Sequence, residues 1–268
     1  MIYEMERLEM LNARVCQLAR EAGAQILRYY APGAAVTLKK DASPLTIADR
    51  ASHDFLVESL KPLIPDASVV SEESEEATNG AIDSTNTSWL VDPLDGTKEF
   101  LKGTNEFTVN IALMKEGLPV LGVVHAPALG LTYYGVRNLG SWRQIADEPA
   151  IPISTRRADS SRLAVVASKD HAGPLVSAML SHLTNPQLQS MGSSLKFCLV
   201  AEGKADVYLR DLPTMEWDTA AAQCVVEAAG GGVYSLNGKP LRYGKPGLKN
   251  PAIMTVGDVQ YDWPALIS

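Results

Sequence analysis

Trp89-Leu90-Val91-Asp92-Pro93-Leu94-Asp95-Gly96-Thr97 begins as a buried strand and ends as a cluster of polar chemistry. The apolar run over 88–91 predicts a strand that stops at Asp92-Pro93, because a proline has no N–H with which to extend a ladder. Two aspartates three residues apart stand at that break, where a turn aims both carboxylates at one point. Gly96 permits a tight or positive-φ backbone, and Thr97 opens the next helix. A helix N-terminus offers free N–H groups and the positive end of a dipole, so it attracts anions. Carboxylates beside an anion site make sense only with cations between them. Mg²⁺, held by a few carboxylates and by phosphate oxygens, is the natural cation. A bare pair of aspartates at this spacing is more often a solvated turn, but these two follow an apolar strand instead of lying in a polar loop.

Upstream, residues 5–30 carry Leu8, Leu11, Val15, Leu18, Ala22 and Ile26 at spacings of three and four, which predicts a helix ended by Pro32-Gly33. Residues 36–38 read as a short strand. Ser43-Pro44 opens a second helix over 45–61, with Ile47, Ala51, Phe55 and Leu60 pointing inward. Val69-Val70 is a short strand running into Ser71-Glu72-Glu73-Ser74, and 75–87 reads as a surface loop. Downstream, 107–114, 120–125 and 132–136 form a strand meander, and the polar stretch 144–161 reads as a hinge. Strand then alternates with helix: strand 163–167, helix 172–182, strand 187–190, helix 194–202, strand 206–210 and helix 217–229. Gly230-Gly231-Gly232 closes the last helix and opens a strand at Val233. The fold class is therefore α/β and layered. An α+β lobe with a mostly antiparallel sheet occupies residues 1–150, and an α/β lobe occupies residues 151–268.

The chain has 268 residues, 46% hydrophobic and 21% charged, the balance of a soluble globular protein. A net charge of −7 argues against a grip on a nucleic-acid polymer, which needs a basic surface. It also suits an anionic small molecule only if cations supply the missing charge. Cys16, Cys198 and Cys224 are odd in number and lack CxxC spacing, so they read as buried, reduced thiols. The first ten residues are charged, and no window reaches the roughly 20 apolar residues that span a bilayer. A cytoplasmic location is expected, with peripheral contact to the inner membrane left open.

Other acids stand at element edges. Asp49 lies on the second helix and Glu72 follows Val69-Val70. Asp218 precedes Thr219-Ala220-Ala221-Ala222, small residues that let a helix pack close to a neighbour. Each alone is an ordinary surface acid or cap. Together, Asp49, Ser71-Glu72-Glu73-Ser74, Asp92-Pro93-Leu94-Asp95-Gly96-Thr97 and Trp217-Asp218-Thr219-Ala220 stand in the order and rough spacing of the inositol monophosphatase superfamily, which the chain resembles from about residue 36 to about 254. Three stretches resemble the CysQ-type 3′(2′),5′-bisphosphate nucleotidases more narrowly. They are Asp95-Gly96-Thr97-Lys98-Glu99-Phe100, Glu106-Phe107-Thr108-Val109-Asn110-Ile111-Ala112 and Gly192-Ser193-Ser194-Leu195-Lys196-Phe197-Cys198.

The resemblance implies an αβαβα sandwich of the inositol monophosphatase/fructose-1,6-bisphosphatase type and two or three Mg²⁺ ions in one acidic pocket. Glu72, Asp92 and the Leu94 carbonyl would hold one ion. Asp92, Asp95 and Asp218 would hold a second, and a weaker third would sit near Glu72. Asp49 and Thr97 would orient and deprotonate the attacking water, with no covalent phosphoenzyme. Gly96, Thr97 and Asp218 would also contact substrate, while Ser193, Lys196 and Arg210 would receive a 5′-phosphate. The implied reaction removes the 3′-phosphate of adenosine 3′,5′-bisphosphate to give AMP. His171 would contact ribose or base, although Ser168-Lys169-Asp170-His171 departs from the family's Ser-Arg-Ser-His and leaves the fine nucleotide preference open. His53, His125 and His182 read as structural or surface residues. Inositol monophosphate, inositol 1,4-bisphosphate and fructose 1,6-bisphosphate are alternative substrates on the same scaffold. A non-enzymatic partnership with RNA-handling complexes is opposed by the intact carboxylate set and the lack of a basic patch. A homodimer is among the assemblies left open. The resemblance also implies a metal site that Li⁺ can occupy, so lithium at modest concentration should inhibit phosphate release; activity unchanged across a lithium titration would count against that site.

Overall fold

Side-chain alternation along the strands sorts the apolar residues of this chain into three separate cores. The computed structural model describes residues 2–31, 44–74, 86–167, 173–183 and 185–266. Two helices, α1 (Ile2–Leu27) and α2 (Pro44–Leu60), precede β1 (Ser68–Ser71) and β2 (Ser88–Asp95). The short α3 (Thr97–Lys102) leads to β3 (Thr108–Lys115), β4 (Leu118–Ala126), β5 (Leu131–Val136), β6 (Gly140–Ile145) and β7 (Ile151–Ile153). The chain then runs β8 (Ala164–Ala167), α4 (Pro174–Ser181), β9 (Gln187–Ser190), α5 (Leu195–Ala201), β10 (Val207–Arg210) and β11 (Thr214–Met215). It finishes with α6 (Ala220–Ala228), β12 (Gly232–Ser235), β13 (Lys249–Asn250) and β14 (Ile253–Val256).

Strands β1 to β7 form one sheet in sequence order, antiparallel except for the parallel pair β1–β2. A second sheet has the order β12-β14-β10-β8-β9. Trp89, Val91, Val109, Ile111, Leu121 and Val123 face α1 and α2 in one core. Their neighbours Leu90, Ala112 and Val124 face the other way, into a core shared with α5, α6 and the inner face of the second sheet. Val165, Val207, Leu209 and Val256 line the outer face of that sheet against α4. The layers are thus helix, sheet, helix, sheet, helix, as the resemblance implied. All three cysteines are buried and free. Among the described residues no helix is long and apolar enough to cross a membrane.

Three local readings change. The strand predicted to stop at Asp92-Pro93 runs on to Asp95, with a shift of register against β3 between Asp92 and Asp95. Such an irregularity accommodates a proline inside a ladder. The predicted hinge at 144–161 holds the end of β6 and all of β7; its Pro152 is tolerated because β7 is an edge strand. On α2, Ile47 is 39% exposed, and the inward face is Ala48, Ser52, Leu56 and Leu60. That face is part polar, so apolar spacing misplaces it. Ser52 Oγ donates to the Pro93 carbonyl at 2.9 Å, and His53 Nδ1 lies 2.8 Å from Ser71 Oγ. The expected strand at 36–38 and most of the loop at 75–87 lie outside the described residues.

Helix α6 approaches the first sheet unusually closely. Gly122 and Gly135 are cross-strand partners on β4 and β5. A Cβ on Gly122 would sit 2.3 Å from the Ala221 carbonyl oxygen, and one on Gly135 would sit 2.8 Å from that of Cys224. The helix therefore rests on bare backbone, which fixes the height of Asp218 just before its first turn. Gly122→Ala should lower unfolding free energy by about 3 kcal/mol, the upper range for overpacking. An unchanged midpoint in urea denaturation would refute that packing account.

Candidate active site

The parallel pairing of β1 and β2 aligns Ser71 with Val91, and Glu72 N–H extends the ladder to the Val91 carbonyl at 3.1 Å. Glu72 and Asp92 are therefore neighbours by register. Asp92 Oδ1 accepts the Leu94 N–H at 3.0 Å, which turns the backbone at the bulge. Gly96 follows with φ 90° and ψ 46°, and a Cβ there would lie 3.2 Å from both Phe107 Cα and Ser193 Cβ. Only glycine suits both the conformation and the space. Asp218 stands before α6, its Oδ2 accepting the Met215 N–H at 2.8 Å. Glu72, Asp92 and Asp218 each bring an oxygen within 4.8 Å of the others.

The electrostatics of this cluster are costly without a cation. Burial, then the charges of Asp95, Glu72, Asp218 and Asp49, push Asp92 well above the usual carboxylate range. Burial and Asp95 push Asp218 up to about 8. Burial, with Glu73 and Glu72 beside it, pushes Asp49 up to about 8. Burial and Asp95 also raise Glu72. Asp49 Oδ1 is buried without a hydrogen-bond partner among the described residues. Hard oxygen ligands, crowded like charges and an orphaned carboxylate oxygen together fit a divalent cation.

Beside the carboxylates lies a cleft of about 430 Å³. Asp95, Gly96, Thr97, Ser193, Lys196, Arg210 and Asp218 all line it, so residues predicted from four separate stretches meet in one place. Thr97 is exposed at the first turn of α3. Lys196 is buried, with Nζ 3.4 Å from the Met191 carbonyl and 5.8 Å from the centre of the Tyr208 ring. Burial lowers its pKa, opposed by the charge of Asp95. Arg210 ends β10, and its Nε donates to the Leu212 carbonyl at 3.3 Å. Ser193 takes a left-handed φ of 51°, and its hydroxyl donates to Asp95 Oδ2 at 2.5 Å. His171 lies outside the described residues. Of the other histidines, His53 and His125 are buried and bonded to Ser71 and Thr132, and burial lowers His125 to about 4. Sequence reasoning gave no role to Asn110, Ser194 or Tyr208. Asn110 and Ser194 bond Asp95, and Tyr208 walls the cleft. They sit inside or beside the quoted motifs, and that proximity was the only available signal.

A model of the inositol monophosphatase family matches residues 7–259. This chain belongs to the inositol monophosphatase family. Within the family it is similar to the 3′(2′),5′-bisphosphate nucleotidase CysQ of Salmonella typhimurium, at 45% identity over 86% of this chain and 92% of that protein. The corresponding protein of Escherichia coli K12 is 44% identical over the same shares. A crystal structure of CysQ from Bacteroides thetaiotaomicron superposes with a TM-score of 0.78 at 39% identity, covering 90% of this chain and 94% of that one. An inositol monophosphatase from Zymomonas mobilis shares the fold, with a TM-score of 0.76 at 24% identity over 98% of this chain and 97% of that one. Members of the inositol monophosphatase family use divalent metals, in keeping with the acidic cluster here.

Crowded acids that bind protons more tightly when folded destabilise the cation-free fold as pH rises. The unfolded values lie near 4. The native state therefore holds extra protons on Asp49 and Asp218 up to about pH 8, and stability falls with pH across that window. His125, depressed to about 4, has the opposite sign below about pH 6.5, so the clean window is pH 6.5 to 8.5. In chelator the melting midpoint should drop across this window, and a divalent cation should remove the drop. A midpoint that holds level or rises with pH in chelator would contradict the charge-crowding account.

Proposed function

We propose that this chain is a Mg²⁺-dependent 3′(2′),5′-bisphosphate nucleotidase that hydrolyses the 3′-phosphate of adenosine 3′,5′-bisphosphate to AMP and phosphate. The observation that carries this reading is the shared cleft: Asp218 of the acidic cluster, together with Asp95, lines the same space as the cations of Lys196 and Arg210. A mononucleotide with two phosphates needs both ends. The similarity to proteins named for this activity supports the same substrate class.

Glu72, Asp92 and the Leu94 carbonyl are assigned to one cation, Asp92, Asp95 and Asp218 to a second, and a weaker third to the vicinity of Glu72. Bound Mg²⁺ supplies a water of lowered pKa and neutralises charge on the transferring phosphoryl group. Asp49, once nearby cations have released its own proton, and Thr97 at the rim of the cleft would orient that water and take up its proton. Gly96 keeps the backbone clear for the phosphate, since any side chain would meet Phe107 and Ser193. Lys196 and Arg210 hold the 5′-phosphate, Lys196 as a point charge at the cleft wall and Arg210 as a planar fork. Ser193 adds a neutral donor, and His171 is assigned to the ribose or base. In this arrangement residues 1–150 contribute most metal ligands, and residues 151–268 contribute the nucleotide contacts and Asp218. Three buried, unpaired thiols accord with residence in the reducing cytoplasm.

The test is phosphate release with Mg²⁺ from adenosine 3′,5′-bisphosphate compared with inositol 1-phosphate. A strong preference for the nucleotide is expected. A preference for the inositol ester would keep the cation cluster and overturn the substrate assignment.

A further inference from the structure

Asp95 and Asp218 reach the site from distant parts of the chain, and one hydroxyl touches both segments. Ser194 is 1% exposed and stands just before α5. Its N–H donates to Asp95 Oδ2 at 2.8 Å, and its Oγ lies 2.9 Å from the same oxygen. That Oγ also lies 2.8 Å from the backbone carbonyl oxygen of Asp218. Asn110 Nδ2, on β3, donates to Ser194 Oγ at 2.9 Å and reaches Asp95 Oδ2 at 3.4 Å. The Asn110 amide is held in this orientation because its Oδ1 accepts the Thr108 hydroxyl at 3.0 Å.

A hydroxyl has one proton and two lone pairs. Asn110 fills a lone pair, which leaves the single Ser194 proton between two acceptors, the Asp95 carboxylate and the Asp218 carbonyl. Asp95 Oδ2 also receives the hydroxyl of Ser193 at 2.5 Å, so this oxygen is saturated by protein donors. That leaves Oδ1 as the oxygen we assign to a cation. Buried groups that orient a ligand in this way are costly to remove, because the polar atoms they leave behind have no water to replace them.

We propose that Ser194 is a positioning residue that ties the Asp95 carboxylate to the segment carrying Asp218, so that the two acids present themselves to a cation as one preset unit. This rests on the metal-dependent reading above. Ser194 needs no contact with substrate for this role; it acts through the two aspartates.

The test measures binding of Mn²⁺ alone, by calorimetric titration of the full chain without substrate. Ser194→Ala should weaken Mn²⁺ binding by about 10–100-fold, the range for loss of a group that orients a metal ligand. Ser194→Thr, which keeps the hydroxyl, should retain most of the wild-type affinity. In turnover, Ser194→Ala should raise the Mg²⁺ concentration needed for half-maximal rate while leaving KM for the nucleotide at saturating Mg²⁺ unchanged. A purely structural role would instead lower the melting midpoint in chelator and leave Mn²⁺ affinity of the folded protein intact. If Ser194→Ala fails to fold, Ser194→Cys takes its place, since a thiol of similar size is a weak donor and should also bind Mn²⁺ more weakly. Equal Mn²⁺ affinity in wild type and Ser194→Ala, or in wild type and Ser194→Cys where that variant stands in, would overturn the role of Ser194 alone. A wild-type chain that binds no Mn²⁺ would overturn the metal-dependent reading itself.

Discussion

Asp92 is buried with Asp95, Glu72, Asp218 and Asp49 all close enough to oppose its ionisation, and much of the surrounding structure is arranged around that repulsion. Such a cluster does not assemble by attraction. It is forced together by elements whose own packing is favourable: a strand with apolar residues on both faces, a helix seated on glycines, and buried hydroxyls and amides that neutralise one oxygen of a carboxylate while leaving the other available. The hydrophobic layers supply the folding free energy, and a small part of it is spent on holding like charges at short range. A cation bound there would reverse the sign of this local term, which would put binding and stability in the same thermodynamic account.

The site and the layers were legible in the sequence to different degrees. Trp89 to Val91 followed by two aspartates announces itself because an apolar strand rarely ends in paired acids. The alternation after residue 163 fixes the strand–helix order. The edge strand β7 was hidden because it is short and contains Pro152, which argues against a central strand but not against an edge. The buried face of α2 was misread because Ser52 and His53, polar residues, point inward to the ends of β2 and β1. Ser194 and Asn110 could not have been singled out by spacing. Their contacts bridge β3 and the start of α5, and nothing local marks a serine whose partners lie elsewhere in the chain.

The cleft also depends on a division between rigid and adjustable parts. Acids at the cation end are pinned by backbone donors, by register and by the height of α6. At the other end, Arg210 reaches the Leu212 carbonyl at 3.3 Å, and Thr97 is exposed. This split suits a reaction in which the transferring phosphoryl must be placed closely, while the remainder of the ligand tolerates more latitude.

The register between β1 and β2 has a consequence for how the chain folds. Glu72 and Asp92 are 20 residues apart in sequence, whereas Asp218 follows Asp92 by 126 residues, after the whole meander of the first sheet. Low-separation contacts form early and high-separation contacts late. A nascent chain emerging from the ribosome would thus carry both Glu72 and Asp92 before Asp218 exists. The order of synthesis and the order of site assembly coincide, and Asp218 is the last of the three clustered acids to arrive.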